Sequence, residues 1–328
     1  MSLRTVIPLA LASVALTGCS GNQAILNAGG PQSGRILNLW WLLVWISIIV
    51  YVLVVLFLFA ALLRQRKQQP TEASMRRTVT TATAATVITL FIILVASVRT
   101  GNALASVPAL NAMNIEVKGH QWWWEINYPD FRPDQQVGTA NEIHIPVGRP
   151  IRLKVTADDV IHSVWIPALA GKIDAIPSRQ NMMWLQADKP GLYRGQCAEY
   201  CGLQHAHMVL FVVAESPEDF NKWLENQRKP APTPNNPTLA RGQQVFMNSP
   251  CVVCHTIRGT GANGQVAPDL THVSSRQTIA AGTLPNNRGS LGGWITDSQR
   301  VKPGNRMPPI NIASEDLDPL ISYLGSLR

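Results

Sequence analysis

Within the fourteen residues GQCAEYCGLQHAHM, Gly195 to Met208, the chain sets Cys197, Glu199, Cys201, His205, His207 and Met208. A zinc site, a disulfide loop and a copper site would each use some of these groups. The two cysteines are separated by three intervening residues rather than the two common in zinc knuckles. Soft thiolates with imidazoles and a weak thioether suit copper electron transfer, whereas a structural zinc has no use for the methionine. A further imidazole is available at His162 in HSVWIP, on what reads as a neighbouring β edge. Two bridging cysteines, two histidines, a methionine and one carbonyl together make a binuclear site.

A second constellation lies fifty residues on. Cys251-Val252-Val253-Cys254-His255 is C-x-x-C-H, the c-type heme attachment pattern. Two thiols on one helical turn add to the two vinyl groups, and the next residue presents its imidazole to the iron. A redox dithiol would lack the thioredoxin-like βαβ surroundings and would leave the histidine unexplained. For the sixth ligand, Met247 sits four residues before Cys251 on the same helix and cannot reach the opposite face. Met307, in NRMPP, lies on a distant loop; His272, in APDLTHV, competes with it, since both methionine and histidine serve such irons.

These residues need elements to hold them. From Met113 to about Val213, short alternating segments (MNIEVKG, NEIHIPV, IRLKVTA, HSVWIP, NMMWLQA, GLYRGQC, MVLFVVA) are punctuated by Gly, Pro, Asn and Asp. That pattern predicts an all-β sandwich or barrel. SPEDFNKWLENQR, from Ser216, closes it as a short helix with a serine cap and acids in the first turn. KPAPTPNNPT, residues 229–238, holds four prolines in ten and reads as a semi-rigid spacer. Residues 239–328 form a separate small domain, with no internal repeat between the two.

The apolar excess lies before residue 100. Residues 1–18 have the layout of a secretory signal, and Leu16-Thr17-Gly18-Cys19 looks like a bacterial lipobox in which Cys19 takes lipid. After an N-terminal segment, 19–38, two uncharged runs, Leu39–Leu63 and Thr78–Val98, are long enough to span a bilayer. They form a transmembrane hairpin over residues 39–99. The threonines of the second run point to a face turned toward protein. The connecting loop RQRKQQPTEASMRR carries five basic residues and one acid, which marks it as cytoplasmic. Everything after Arg99 is then outside, a disulfide-permissive side, yet with Cys19 lipidated the other four cysteines are two close pairs beside histidines. They read as ligands and attachment points. Residues 103–227 carry 14 acids against 10 bases, and residues 238–328 carry 5 against 8. This division suits either two ordinary surfaces or a basic small domain docking on an acidic β domain.

A hairpin followed by GHQWWWEINYP, HSVWIP, GKIDAIPSR and GQCAEYCGLQHAHM resembles subunit II of a heme-copper cytochrome c oxidase. The C-terminal part, from its first helix through CVVCH, APDL and NRMPP to SEDLDPLISYLGSL, resembles a class I cytochrome c, so the whole is similar to the bacterial caa-type form. The resemblance implies an all-β cupredoxin domain with a binuclear CuA centre over residues 100–228, and an all-α cytochrome c domain over 239–328. Its pattern makes Cys197 and Cys201 bridging thiolates, His162 and His205 the terminal imidazoles, Met208 the weak ligand and Glu199 the backbone carbonyl donor. The Glu199 side chain inherits a share in a magnesium ion at the interface with subunit I. Trp122 matches the exposed aromatic through which electrons enter; for Trp123 or Trp124 packing on a sheet is expected. His120, His144 and His207 fall outside the ligand set. Many members have an acid after the second membrane helix for proton uptake, but VRTGNALASVPALNAMNIE has none before Glu116. Implied partners are oxidase subunits I and III, cytochrome c or a cytochrome bc-type donor complex, and membrane lipid, with no nucleic acid. A nitric oxide reductase subunit or a free-standing membrane electron carrier are the competing functions; a quinol oxidase subunit should lack the copper ligands. The short tether suggests an effective heme concentration of about millimolar for the copper.

Overall fold

The computed structural model describes residues 21, 23–63, 71–106, 112–129, 132 and 135–328. Cys19, the signal-like segment and residues 64–70 of the basic loop lie outside the described residues. Helices α1 (Pro31–Leu63) and α2 (Glu72–Ala105) are each long and apolar enough to cross a membrane. Both extend beyond the apolar runs, because nothing in the flanking residues breaks them. Thr71 caps α2 by accepting from the Ser74 N–H at 3.3 Å. The hydroxyls of Thr78, Thr86 and Thr89 donate back to carbonyls one turn earlier at 3.0, 2.9 and 2.9 Å. These threonines bond back within their own helix, one of the two ways such hydroxyls are satisfied in a membrane-length helix. Arg35, near the start of α1, donates to the Ala103 carbonyl near the end of α2 at 2.7 Å and ties the hairpin's ends together.

The β region consists of ten strands: β1 (Met113–His120), β2 (Trp123–Tyr128), β3 (Val137–Ala140), β4 (Glu142–Pro146), β5 (Ile151–Ala157), β6 (His162–Trp165), β7 (Lys172–Ala175), β8 (Asn181–Leu185), β9 (Gly191–Cys197) and β10 (Val209–Glu215). They form two five-stranded sheets, β3-β2-β1-β5-β8 and β4-β10-β9-β6-β7. Pairing is antiparallel except β1 with β5 and β10 with β4, which are parallel. Alternation drives the layering: Met113, Ile115 and Val117 of β1, and Ile151, Leu153 and Val155 of β5, all point into the core between the sheets. Alternation in the sequence does not mark strands β2, β3 and β7. β2 is hidden in its tryptophans, and β3 and β7 are four residues each and too short to show a period. Helix α3 (Pro217–Arg228) follows, capped by Ser216, which accepts from the Asp219 N–H at 3.1 Å, and it buries Phe220 and Leu224 in the sandwich core.

The C-terminal region is helical: α4 (Pro237–Met247), α5 (Cys251–Cys254), α6 (Arg288–Thr296), α7 (Ser298–Val301) and α8 (Ser314–Ser326), with a two-residue ribbon β11 (Thr278–Ile279) and β12 (Leu284–Pro285). Its core gathers Phe246, Ile257, Leu291, Leu320, Tyr323 and Leu324. α4 crosses α8 at Gly242, where a Cβ would stand 2.1 Å from the Pro319 carbonyl oxygen. The proline spacer is not free-running: the Ala231 N–H donates to the Arg258 carbonyl at 2.8 Å, and Ala231 packs on the helical core.

Candidate metal centres

His162 opens β6 in one strand of the second sheet, Cys197 ends β9 beside it, and the loop from Cys197 to Met208 folds back over both. The pairing of Val164 with Cys197 brings the histidine's strand to the cysteine's. Cys197 Sγ lies 3.8 Å from Cys201 Sγ and 3.9 Å from His162 Nδ1. Cys201 Sγ lies 3.5 Å from His205 Nδ1 and 3.9 Å from Met208 Sδ, and the Glu199 carbonyl is 3.2 Å from Cys197 Sγ. His162 and Met208 are wholly buried and both cysteines nearly so, while the Glu199 side chain is exposed. All six groups assigned from the sequence therefore converge, and His207 does not join them: its Nδ1 pairs with Gln204 Oε1 at 2.8 Å. His120 and His144 turn instead to Glu125 and Glu215, at 2.9 and 3.0 Å.

Burial alone would hold thiols protonated, yet here the Cys201 S–H donates to Cys197 and holds the Cys197 thiol down at about 4, with help from His162 and the Glu199 and Ser163 backbone. Cys201 is pushed up in turn by that thiolate and by burial. The pair thus favours a thiolate at Cys197, the form of cysteine that binds a metal ion, and Cys197, Cys201, Cys251 and Cys254 are all free thiols. Soft sulfur, two imidazoles and a thioether fit copper.

The surroundings explain neighbouring residues. Gly119 of the GHQW stretch is required by the His162 ring, since a Cβ there would be 2.7 Å from His162 Cδ2. Gly202 has φ +112° and lies against the Trp122 indole, whose N–H donates to the Cys201 carbonyl at 3.0 Å. Trp124 is fully buried and meets the His162 ring edge-on, while Trp123 stacks on His120. Trp122 is expected to be exposed; it is 8% exposed, because Gly202 of its own domain and Gly304 of the helical region lie against its indole.

Asp159 is the residue that sequence reasoning missed. Its Oδ1 accepts from His162 Nε2 at 2.9 Å and the Val160 N–H at 2.7 Å; its Oδ2 accepts from the Gln121 N–H at 2.7 Å and Arg306 at 3.2 Å. Burial opposes its charge, but these bonds from His162, Gln121 and Val160 win and hold the carboxyl below its usual range. By fixing the proton on Nε2 it frees His162 Nδ1 to ligate. An acid three residues before a ligand histidine was the available signal.

In the helical region, α5 carries Cys251 and Cys254 on one turn. His255 Nδ1 faces the Pro268 carbonyl at 2.7 Å; a carbonyl only accepts, so this nitrogen carries the proton and Nε2 is left with its lone pair. Burial pushes His255 down, which keeps the imidazole neutral and fit to bind iron. His272 is pinned between the Arg328 and Lys229 carbonyls, 2.8 and 3.0 Å from its two nitrogens, and so has no nitrogen to spare. The Met307 loop is held by its own backbone: Met307 N–H donates to Asn305 Oδ1 at 2.7 Å, and its carbonyl accepts from Ser298 and Gln299 at 2.6 and 2.9 Å.

Comparison with known proteins matches both regions to known families. The family "Cytochrome C oxidase subunit II, periplasmic domain" matches residues 133–215, and the cytochrome c family matches residues 239–328. Cytochrome c oxidase subunit 2 of Alkalihalophilus pseudofirmus is 34% identical over 336 residues, covering 98% of this chain and 96% of the relative. That of Bacillus sp. strain PS3 is 34% identical over 261 residues, covering 73% and 71%. A crystal structure of the periplasmic domain of subunit II of cytochrome oxidase from Bradyrhizobium japonicum is 33% identical, covers 38% of this chain and 96% of that one, and has a TM-score of 0.34. With near-complete coverage by a relative, two membrane-length helices, a β sandwich bearing a copper-suited donor set and a cytochrome c domain, this chain belongs to the cytochrome c oxidase subunit II family, as an electron-transfer subunit of a heme-copper terminal oxidase complex.

Proposed function

We propose that the chain takes electrons from a reduced cytochrome c or a cytochrome bc-type complex at its own c-type heme, and delivers them through a binuclear CuA centre to subunit I of a caa-type oxidase. When bound, the heme and the copper pair supply one-electron chemistry; the chain's residues hold and tune them. Cys251 and Cys254 anchor the heme, with His255 and Met307 on its iron. His162, Cys197, Cys201, His205, Met208 and the Glu199 carbonyl hold the copper. The Glu199 side chain, exposed on the ligand loop, is available to a magnesium ion at the subunit I interface. Subunit III completes the partner set. Trp122 bridges toward the helical region, bonded to one copper ligand's carbonyl. The hairpin fixes the chain in a bacterial cytoplasmic membrane with the metal-bearing domains outside, and Cys19 adds lipid.

The observation that carries this reading is the convergence of six donors of copper character at 3.2–3.9 Å around the buried His162, Cys197, Cys201 and Met208. The test is an EPR and optical spectrum of the purified full chain beside a His162→Ala variant. The wild type is expected to show a mixed-valence binuclear copper signal and a low-spin c heme, and the variant only the heme. Copper-free protein with bound zinc would overturn the copper assignment, and absence of high-spin heme from the co-purified complex would overturn the oxidase.

A further inference from the structure

Lys302 is a buried cation that neither donor set uses. It is 2% exposed, and it lies in the loop between α7 and Met307. Its Nζ donates to three carbonyls: Trp122 at 2.9 Å, His207 at 2.9 Å and Ala280 at 3.1 Å. An ammonium has three donors and no acceptor, so the three carbonyls saturate it. Removing a cation from water costs several kcal/mol unless it is bonded this fully, so a casual surface contact would not bury one. Burial draws its pKa down to about 7, yet both forms still donate to these carbonyls, the ammonium through three N–H groups and the amine through two.

The placement of the three carbonyls is the informative part. Trp122 and His207 belong to the β sandwich; Ala280 belongs to the helical region, as does Lys302. Trp122 is bonded through its indole to the Cys201 carbonyl, and His207 stands between His205 and Met208. One side chain therefore joins peptide groups beside the copper ligands to the loop that carries Met307. Further bonds cross the same seam: Val209 N–H to the Ala281 carbonyl at 3.1 Å, Gln277 N–H to Glu142 at 2.7 Å, and Gln204 to the Pro303 carbonyl at 2.8 Å. Gly304, two residues after Lys302, lies against the Trp122 ring.

We infer that Lys302 is a positioning residue that seats the cytochrome domain on the β sandwich in one pose, with the Met307 loop against Trp122, so that heme and copper work as a docked unit rather than through a swinging tether. This rests on the electron-delivery reading above. The step it serves moves one electron from the reduced heme at His255 to the oxidised copper pair, and no bond or proton is exchanged. Because the seam covers Trp122, an external donor meets the outer face of the cytochrome domain instead.

The test uses the full chain in its assembled oxidase, wild type against Lys302→Met, with three readouts: flash-initiated heme-to-copper transfer, hydrogen exchange across the seam, and the spectra of both centres. The variant is expected to keep both spectra, to lose at least about tenfold in transfer rate, as small misplacements do, and to exchange faster at residues 122–124, 207–209 and 277. Unchanged rate and exchange would overturn the positioning role. If the variant fails to assemble, wild-type exchange decides: slow exchange at Val209 and Gln277 supports the docked pose, and exchange at loop-like rates overturns it. A wild type with no heme-to-copper transfer at all would sink the electron-delivery reading and this inference together, whereas normal wild-type transfer with an indifferent variant sinks only the role of Lys302.

Discussion

Asp159→Asn changes one atom and should weaken copper binding without touching a ligand. The carboxylate accepts four N–H groups, two on each oxygen. An amide keeps one oxygen and replaces the other with an NH2 that accepts nothing, so two of the four donors lose their partner whichever way it turns. With the NH2 toward His162, the ring proton must move to Nδ1, the nitrogen 3.9 Å from Cys197 Sγ, and ligation is blocked. With the NH2 toward Gln121, the Gln121 N–H and Arg306 lose their acceptor; Arg306 is exposed and turns to water, while the half-buried Gln121 N–H costs about 1–3 kcal/mol. The second orientation is the cheaper one, and it keeps His162 in the right tautomer but removes the negative charge behind the ring. Loss of such a supporting partner typically lowers metal affinity about 10–100-fold, equivalent to about 1.4–2.8 kcal/mol. Competition titration of copper into apo full-length protein in detergent measures it, with the EPR pattern checking that the site still forms. An affinity equal to wild type would refute the argument that the Asp159 charge behind the ring supports His162 as a ligand.

Two other outcomes follow from close contacts and charge. Gly242→Ala puts a methyl 2.1 Å from the Pro319 oxygen and 2.6 Å from Tyr323 Cβ, so α4 and α8 must part. The cytochrome domain should lose about 3 kcal/mol, the upper end of overpacking. Heme-region melting by Soret circular dichroism should fall while the copper signal persists, and an unmoved melt would contradict the crossing geometry. Glu125 is held at about 2, chiefly by its bond to His120 and against burial, with Asn127 and Lys118 assisting. A carboxyl whose folded pKa lies below its unfolded value of 4.5 contributes stability above that value, and loses it as pH falls from about 4.5 toward 2. After allowance for solvent screening this is about 1–2 kcal/mol. Urea denaturation of apo protein followed by tryptophan fluorescence should show wild type above Glu125→Gln by that margin at pH 6, and the gap closing near pH 2–3. A gap constant with pH would argue against an ionic role.

The sequence by itself determined the parts that depend on local spacing. C-x-x-C-H must put two thiols and an imidazole on one turn, and the loop from Cys197 to Met208 is short enough that its two cysteines, His205 and Met208 converge by chain connectivity alone. The two long apolar runs likewise specify helices long enough to cross a membrane, a structure that satisfies its own backbone, and alternation over β1, β5 and β10 fixes which side chains enter the core. Tertiary structure decided what depends on distant segments meeting. The pairing of β6 with β9 brings His162 to Cys197, Asp159 selects the tautomer that lets it ligate, and Pro268 does the same for His255. Trp122 reads as an exposed ring until Gly304 of the helical region lies against it. Lys302 reads as one more surface base in a cationic domain. Only the folded chain shows that its charge is spent inside, on carbonyls of both domains, because a hydrogen-bond acceptor made of backbone leaves no residue type in the sequence to mark it.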